Sequence, residues 1–368
     1  MGDTSIGFGI LGSGNMARVY GDALRDQVPD ARLVAVALGS RAGSLAAEFG
    51  VTAEPTAEAL LARRDVDVVV IATPHSTHLP LSLQTAAAGK HVYLEKPMAL
   101  NVAECDAIIE ACRSAGVQLT IAKQTRHMQM AMKAKELIDE GRIGEIRYLR
   151  PMSIIAGMGI AAGNHWSEKP GEGDAFLDWG SHCCDAIRWL SGAEPVRVYA
   201  DFEDFTGLPL SGTTAAVQFR LSNKAIAQVL MCYDVPPSGL GAGTGRNNQY
   251  LIVGSEGSIF WDLDRIDLVT GNRITWSWDL PSWTLPDFKP RDPRRIGNSA
   301  RQVQAFVEAL RDGRPPAITG ADGRAAIEMA QATTLSAATH RAVDFPLAAG
   351  SAGSAGSAGA SGAAGHPA

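Results

Sequence analysis

Two groups of residues in this chain have the types and spacing that proton transfer requires. The first is Glu95-Lys96-Pro97, a lysine at the end of the apolar run His91 to Leu94. An amine held there could orient a substrate hydroxyl or move its proton. Pro97 pushes Lys96 toward an extended backbone. Taken alone, the triplet is as consistent with a solvated surface lysine. The second is the stretch Gly173 to Asp185, G-D-A-F-L-D-W-G-S-H-C-C-D, which leads into an apolar helix over Ala186 to Leu190. Helical spacing predicts that Asp178, His182 and Asp185 share one face. An imidazole beside a carboxylate has its orientation and tautomer fixed, as a base that takes a hydroxyl proton during hydride transfer needs. A plain capped helix with a buried histidine is the competing reading. Asp178, His182, Asp185, Cys183 and Cys184 could also ligate a metal, but adjacent cysteines lack zinc-type spacing, and no metal is expected.

These side chains need a scaffold. Ser5 to Arg18 reads S-I-G-F-G-I-L-G-S-G-N-M-A-R. Its apolar residues predict a buried parallel strand, and a helix is expected from Asn15 to about Gln27. Between them Gly12, Gly14 and Ala17 spell G-x-G-x-x-A. Gly12 permits a tight reversal, Gly14 lets backbone N–H groups approach a pyrophosphate, and Ala17 lets helix and strand pack closely. The helix N-terminus, with Asn15 and Met16, adds about half a positive charge facing the anion. Strand, turn and helix in this order are the context in which the motif signals dinucleotide binding. A second run, Arg32 to Leu38, ends at Gly39-Ser40-Arg41, where such a fold reads the adenosine ribose. No acid stands at that tip. Ser40 and Arg41 suit a 2′-phosphate, so NADP is favoured over NAD. The alternative is a solvated Arg41 and a pocket that takes either cofactor.

The alternation continues. Helices are predicted over Ala42 to Phe49, Thr56 to Arg63 and Thr77 to Ala88, with strands over Asp67 to Ala72, His91 to Leu94 and Val117 to Ala122. Gly89 closes one helix, and Asn101 with Glu104 starts another that ends near Gly116. This regularity predicts a doubly wound parallel sheet, whose ligands sit at the carboxyl ends of the strands. The residues to watch are therefore Gly12, Ser40, Thr73-Pro74-His75, Glu95-Lys96-Pro97, and Gln124 to Arg126. After a helix from Met128 to Glu140 the pattern turns to β: 146–155, 196–205, 213–221, 225–233, 250–253, 258–261 and 274–278. That predicts a second, α+β domain with a mostly antiparallel sheet. Helices over Ser299 to Arg311 and Ala321 to Ala342 follow. The expected division is a nucleotide-binding domain over 1–125, a substrate and oligomerisation domain over 126–346, and a disordered Ala/Gly/Ser tail over 347–368.

The chain has 368 residues, a formal net charge of −6 and five cysteines. No basic block speaks for nucleic acid, and no apolar run reaches the ~20 residues of a membrane helix. Without a secretory signal or a disulfide pattern, a reduced, cytoplasmic protein is expected.

Together, Gly12-Ser13-Gly14-Asn15-Met16-Ala17, Thr73-Pro74 with His78, Glu95-Lys96-Pro97, and Asp178-x-x-x-His182-x-x-Asp185 resemble the glucose–fructose oxidoreductase / inositol dehydrogenase / MocA (Gfo/Idh/MocA) family over about residues 5 to 345. The resemblance implies a Rossmann domain, then a domain with a large open sheet that mediates homodimers or homotetramers. It also implies NAD(P)-linked oxidation or reduction of sugars, cyclitols and related polyhydroxylated rings. By the same resemblance Lys96 is the catalytic lysine, His182 the acid/base histidine, Asp178 its partner or a substrate ligand, and Asp185 a hydroxyl ligand. Trp166 is placed near the nicotinamide, with Gln124 toward the cofactor and Arg126 toward the substrate. Two features depart from the pattern. The loop Gly171-Glu172-Gly173-Asp174 carries extra charge, and Met152 to Trp166 is less polar than a simple sugar pocket suggests. An aromatic cis-dihydrodiol, a glycoside, or a non-catalytic sugar and nucleotide sensor are the alternatives. The loop Pro236 to Asn248 reads either as a pocket cover or as an exposed connection.

Overall fold

The computed structural model describes residues 5–156, 169, 171–205, 210–235, 247–262, 265–279 and 293–348. Trp166, the loop 236–246 and the tail from 349 lie outside them, as does most of the apolar stretch ending at Trp166.

The first half alternates as expected: β1 (Ile6–Leu11), α1 (Asn15–Asp26), β2 (Ala31–Ala37), α2 (Ala42–Phe49), β3 (Thr52–Glu54), α3 (Ala57–Leu61), β4 (Val68–Ile71), α4 (His78–Ala87), β5 (His91–Leu94), α5 (Val102–Ala115) and β6 (Leu119–Ile121). All pairings are parallel and the order is β3-β2-β1-β4-β5-β6. The order reverses between β1 and β4, and the crevice beyond their carboxyl ends is where such sheets take ligands. The sequence pattern does not mark β3, which has only three residues and little buried surface. The start of α5 is capped as its residues predict: Asn101 Oδ1 accepts from the Glu104 N–H at 2.9 Å, and Glu104 reaches back to the Leu100 N–H.

The second half comprises α6 (Gln129–Asp139), β7 (Ile146–Ala156), α7 (Ser181–Ser191), β8 (Pro195–Glu203), β9 (Thr214–Leu221), β10 (Ile226–Val235), β11 (Asn247–Gly254), β12 (Ser258–Trp261), β13 (Arg265–Thr270), β14 (Arg273–Asp279), α8 (Pro293–Arg311), α9 (Gly320–Thr339) and β15 (Val343–Asp344). Nine strands form one sheet in the order β14-β13-β12-β11-β7-β10-β9-β8-β15, antiparallel except where β7 meets β10. Strand β13 escapes the sequence pattern because Arg265 and Asp267 break its apolar run. Helix α8 begins well before Ser299, because Pro293 can open a helix without needing a backbone donor.

The core does not follow the expected domain division. One cluster joins Phe8, Ile10, Tyr20 and Tyr93 of the parallel sheet and α1 to Ile296, Val303 and Phe306 of α8. A second runs without a break from Leu11 and Ile71 through Met98 and Phe176 to Phe219 and Ile327. Helix α8 therefore closes one face of the parallel sheet, although it follows the second domain in the chain. Among the described residues no helix is long and apolar enough to cross a membrane.

Candidate active site

The glycine turn has the geometry its residues call for. Gly12 adopts φ +114°, and a Cβ there would lie 2.3 Å from the Ala72 carbonyl oxygen, so no other residue fits. A Cβ on Gly14 would meet nothing within 4 Å, which leaves the seat at the start of α1 open to a ligand. Asn15 is exposed and Met16 half-buried at the first turn of α1. At the tip of β2, Ser40 and Arg41 are exposed, and the Arg41 N–H donates to Ser13 Oγ at 3.2 Å.

Lys96 follows β5 at the same edge of the sheet. Its Nζ donates to Asp178 Oδ1 at 2.5 Å and lies 3.3 Å from the Asp178 carbonyl oxygen. It also sits 5.0 Å from the centre of the Trp179 ring, and the Trp179 and His182 rings are 6.1 Å apart. The Lys96 and Asp178 side chains are only 19% and 16% exposed. The front-half amine thus meets the carboxylate of the back-half cluster, with the imidazole on the next helical turn.

Several residues expected to face the cofactor point elsewhere. The Glu95 carboxylate turns inward: Oε1 accepts from the Tyr20 hydroxyl at 2.5 Å, and Oε2 accepts from the Lys96 N–H at 3.0 Å. Burial raises its pKa. Glu95 therefore shapes the backbone that carries Lys96. His78 is fully buried, its ring nitrogens 2.9 Å from the Pro97 carbonyl and 3.1 Å from that of Thr73. It packs between the turn after β4 and the turn after β5 and, with one N–H, donates to one of these two carbonyls; burial lowers its pKa. Thr73 Oγ1 accepts from Thr77 Oγ1 at 2.6 Å, and Pro74 leads into the short 3-10 turn His75–Thr77.

His75 is nearly inaccessible. Its Nδ1 lies 2.9 Å from the Glu172 carbonyl oxygen, an acceptor only, so Nδ1 carries the proton and Nε2 faces Asp178 Oδ1 at 3.8 Å. Burial, outweighing the pull of Asp178, lowers its pKa to about 4. The ring is therefore neutral near pH 7, and across 3.8 Å its Nε2 forms no ion pair with Asp178. The extra charge of the loop before the cluster has a structural use: the buried Glu172 carboxylate accepts from the Ser76 hydroxyl at 2.6 Å and the Ser76 N–H at 3.0 Å.

Asp178 and Asp185 take different partners. Phe176 to Gly180 form a π-helical turn ahead of α7, and that wider turn shifts the register of Asp178 against the following α-helix. Asp185 is fully buried, and its two oxygens take a fork from Arg126 at 2.9 and 2.7 Å. Arg126 reaches Asp322 as well, at 3.0 Å. The pair expected to hold substrate is here a clamp between the end of β6, α7 and α9. Gln124 donates to Ser299 Oγ of α8 at 3.2 Å.

Lys123 is the participant that residue patterns do not mark. It is fully buried, its Nζ donates to the Ser181 carbonyl at the start of α7 at 3.2 Å, and burial lowers its pKa. A lysine within A-K-Q-T-R-H reads as polar surface, and only the strand ending just before it hints at an inward position.

A family described as an oxidoreductase family with an NAD-binding Rossmann fold matches residues 6–123, and the C-terminal domain of the same GFO/IDH/MocA family matches 131–260. The chain belongs to the Gfo/Idh/MocA family of oxidoreductases. Members similar to it include an inositol 2-dehydrogenase of Rhizobium meliloti, 28% identical over 92% of this chain and 99% of the relative. A scyllo-inositol 2-dehydrogenase (NAD(+)) of Bacillus subtilis is 28% identical over 89% of this chain and 92% of its own. A solved myo-inositol 2-dehydrogenase from Lactobacillus plantarum shares the fold at a TM-score of 0.78 and 23% identity, covering 92% of this chain and 99% of that one. The Gfo/Idh/MocA fold is thus present along nearly the whole described chain, with a nicotinamide-nucleotide domain in front.

Proposed function

We propose that this oxidoreductase moves hydride between a nicotinamide dinucleotide and a secondary alcohol or ketone of a cyclitol or sugar ring. In this reading Lys96 handles the hydroxyl proton, with Asp178 and His182 beside it. The observation that carries it is the Lys96–Asp178 contact, which joins the carboxyl edge of the nucleotide domain to the helix start of the second domain. The cofactor, when bound, accepts or gives the hydride, and the protein supplies orientation and proton transfer. Gly12 and Gly14 would seat its pyrophosphate, and Thr73 and Pro74 lie at the switch point beside it. Asp178 holds the Lys96 ammonium in place, and a substrate hydroxyl entering beside the pair can pass its proton to the amine once the ammonium has given one up. The curated relatives named for inositols point to a ring polyol as the first substrate class to test.

NADP is proposed over NAD because the tip of β2 offers Ser40 and exposed Arg41 and no acid. The Bacillus relative is named for NAD(+), so the choice is an experimental one. A homodimer or homotetramer through the nine-stranded sheet is supported by Tyr199 and Leu230, exposed on its strands. Light scattering after size exclusion reads that state directly.

Absorbance at 340 nm, followed with NADP and NAD against a panel of inositols, sugars and dihydrodiols, tests the function. Turnover of ring polyols with a lower KM for NADP is expected. Tight nucleotide binding without turnover of any substrate would favour a sensor and overturn the catalytic reading.

A further inference from the structure

The glycine turn supplies backbone N–H groups and a partial charge for a pyrophosphate, but no full positive charge among its own residues. Arg18, on α1, is engaged with Glu48 at 2.9 Å, and Arg41 stands at the ribose tip. The net charge of −6 weighs against an anion. One guanidinium is nevertheless brought to the turn from far along the chain. Arg295, in the first turn of α8, places Nη2 2.9 Å from Met16 Sδ in the first turn of α1. Its charge also reaches Glu95 at the end of β5. A thioether is a weak acceptor, whereas a guanidinium is a fork of donors matched to phosphate oxygens. Among the described residues no carboxylate pairs with Arg295.

The placement is built rather than incidental. Ile296, Ala300 and Val303 bury one face of α8 against the core of the parallel sheet. Gln302 Nε2 donates to the Ile121 carbonyl at 2.8 Å, and Arg301 donates to the His127 carbonyl at 3.0 and 2.9 Å. Those bonds hold the helix against the end of β6 and aim its first turn at the start of α1.

We infer that Arg295 is a ligand for the pyrophosphate of the bound dinucleotide, delivered to the glycine turn by α8. The inference rests on the nucleotide-binding reading of that turn. On cofactor entry the guanidinium exchanges the Met16 thioether for phosphate oxygens, so a helix from the C-terminal part of the chain completes the seat.

Isothermal titration of the full chain with NAD+, ADP-ribose and adenosine tests this without turnover. Arg295→Leu is expected to weaken NAD+ and ADP-ribose alike by about tenfold to hundredfold, the scale of a hydrogen bond between charged groups, and to leave adenosine unchanged. Its NAD+ affinity should also fall less steeply with salt than that of the parent. Arg295→Lys should recover part of the loss. Affinities within twofold of the parent for both phosphorylated ligands would overturn the inference. A loss for NAD+ but not ADP-ribose would overturn it too, by moving the contact to the nicotinamide half. Should the leucine variant not fold, Arg295→Gln carries the same comparison. A parent that binds neither NAD+ nor ADP-ribose would remove the nucleotide reading and the inference with it.

Discussion

Lys96 and Asp178 are held together by a buried neighbourhood, and each neighbour has a separable consequence. Replacing Lys96 by Met removes the amine and keeps the stem against Trp179. Turnover should fall by about 10²- to 10⁴-fold, the range for a positioned proton donor or acceptor, while NAD(P) affinity, measured by titration, changes little. Equal losses in both would assign Lys96 to cofactor binding instead. His75 gives a prediction in pH. Its pKa is about 4 in the fold against an ordinary 6.5, so between those values the unfolded chain binds a proton that the folded chain refuses. The stability linked to this ring is complete above about pH 6.5 and is lost as pH falls toward 4, by up to ~3 kcal/mol. His127 acts in the same direction: burial, then Arg301 and Arg126, lower it to about 4. Urea midpoints at pH 7.5 and pH 5 should therefore differ less in His75→Asn than in the parent. Parallel curves would mean that the folded protein accepts the proton on His75 at no cost.

At the scale of elements, the strand, turn and helix that open the chain separate folding from binding at two neighbouring glycines. Gly12→Ala forces a side chain into φ +114° and onto the Ala72 carbonyl, so it should cost about 1–3 kcal/mol or more. Gly14 has φ −78° and open space around it, so Gly14→Ala should keep stability within about 0.5 kcal/mol. It would still weaken dinucleotide binding by roughly tenfold, equivalent to ~1.4 kcal/mol. Thermal melts with and without NAD+ distinguish the two variants. A Gly14→Ala protein that binds like the parent would place the pyrophosphate away from the turn. These glycines are legible in the sequence because their constraint is local: a backbone angle and a missing Cβ. The parallel sheet is legible for a similar reason, since each strand announces itself by its own apolar run. What is hidden depends on partners distant in the chain. Helical spacing groups Asp178, His182 and Asp185, but no residue pattern announces that Asp185 pairs with Arg126 from the end of β6. The inward turn of Glu95 requires Tyr20, and the buried Lys123 requires the Ser181 carbonyl. Each of those choices is settled by packing between elements, which a single stretch does not record.

Across the whole molecule, the order of elements in the chain and the order of layers in space disagree, and the disagreement concerns stability. A nucleotide domain ending near residue 125 is the natural reading of the strand-helix alternation. Yet the sheet face that carries Phe8, Ile10 and Tyr93 is covered in part by Ile296, Val303 and Phe306 of α8. The Tyr93 and Phe306 rings meet edge to face, with centroids 6.0 Å apart. Residues 1–125 alone would expose that face to water. Phe306→Ala in the full chain should cost about 3–5 kcal/mol, the usual loss for a buried phenylalanine, although Phe306 lies outside the glycine turn and the Lys96 cluster. Because α8 and the parallel sheet share one core, the loss should lower a single cooperative transition that includes nucleotide binding. Denaturant unfolding followed both by circular dichroism and by displacement of bound NADPH provides the check. Coincident transitions shifted together by Phe306→Ala are expected. Two separated transitions, with the nucleotide site surviving the first, would show that the front half stands without α8 and that the chain divides where its alternation ends.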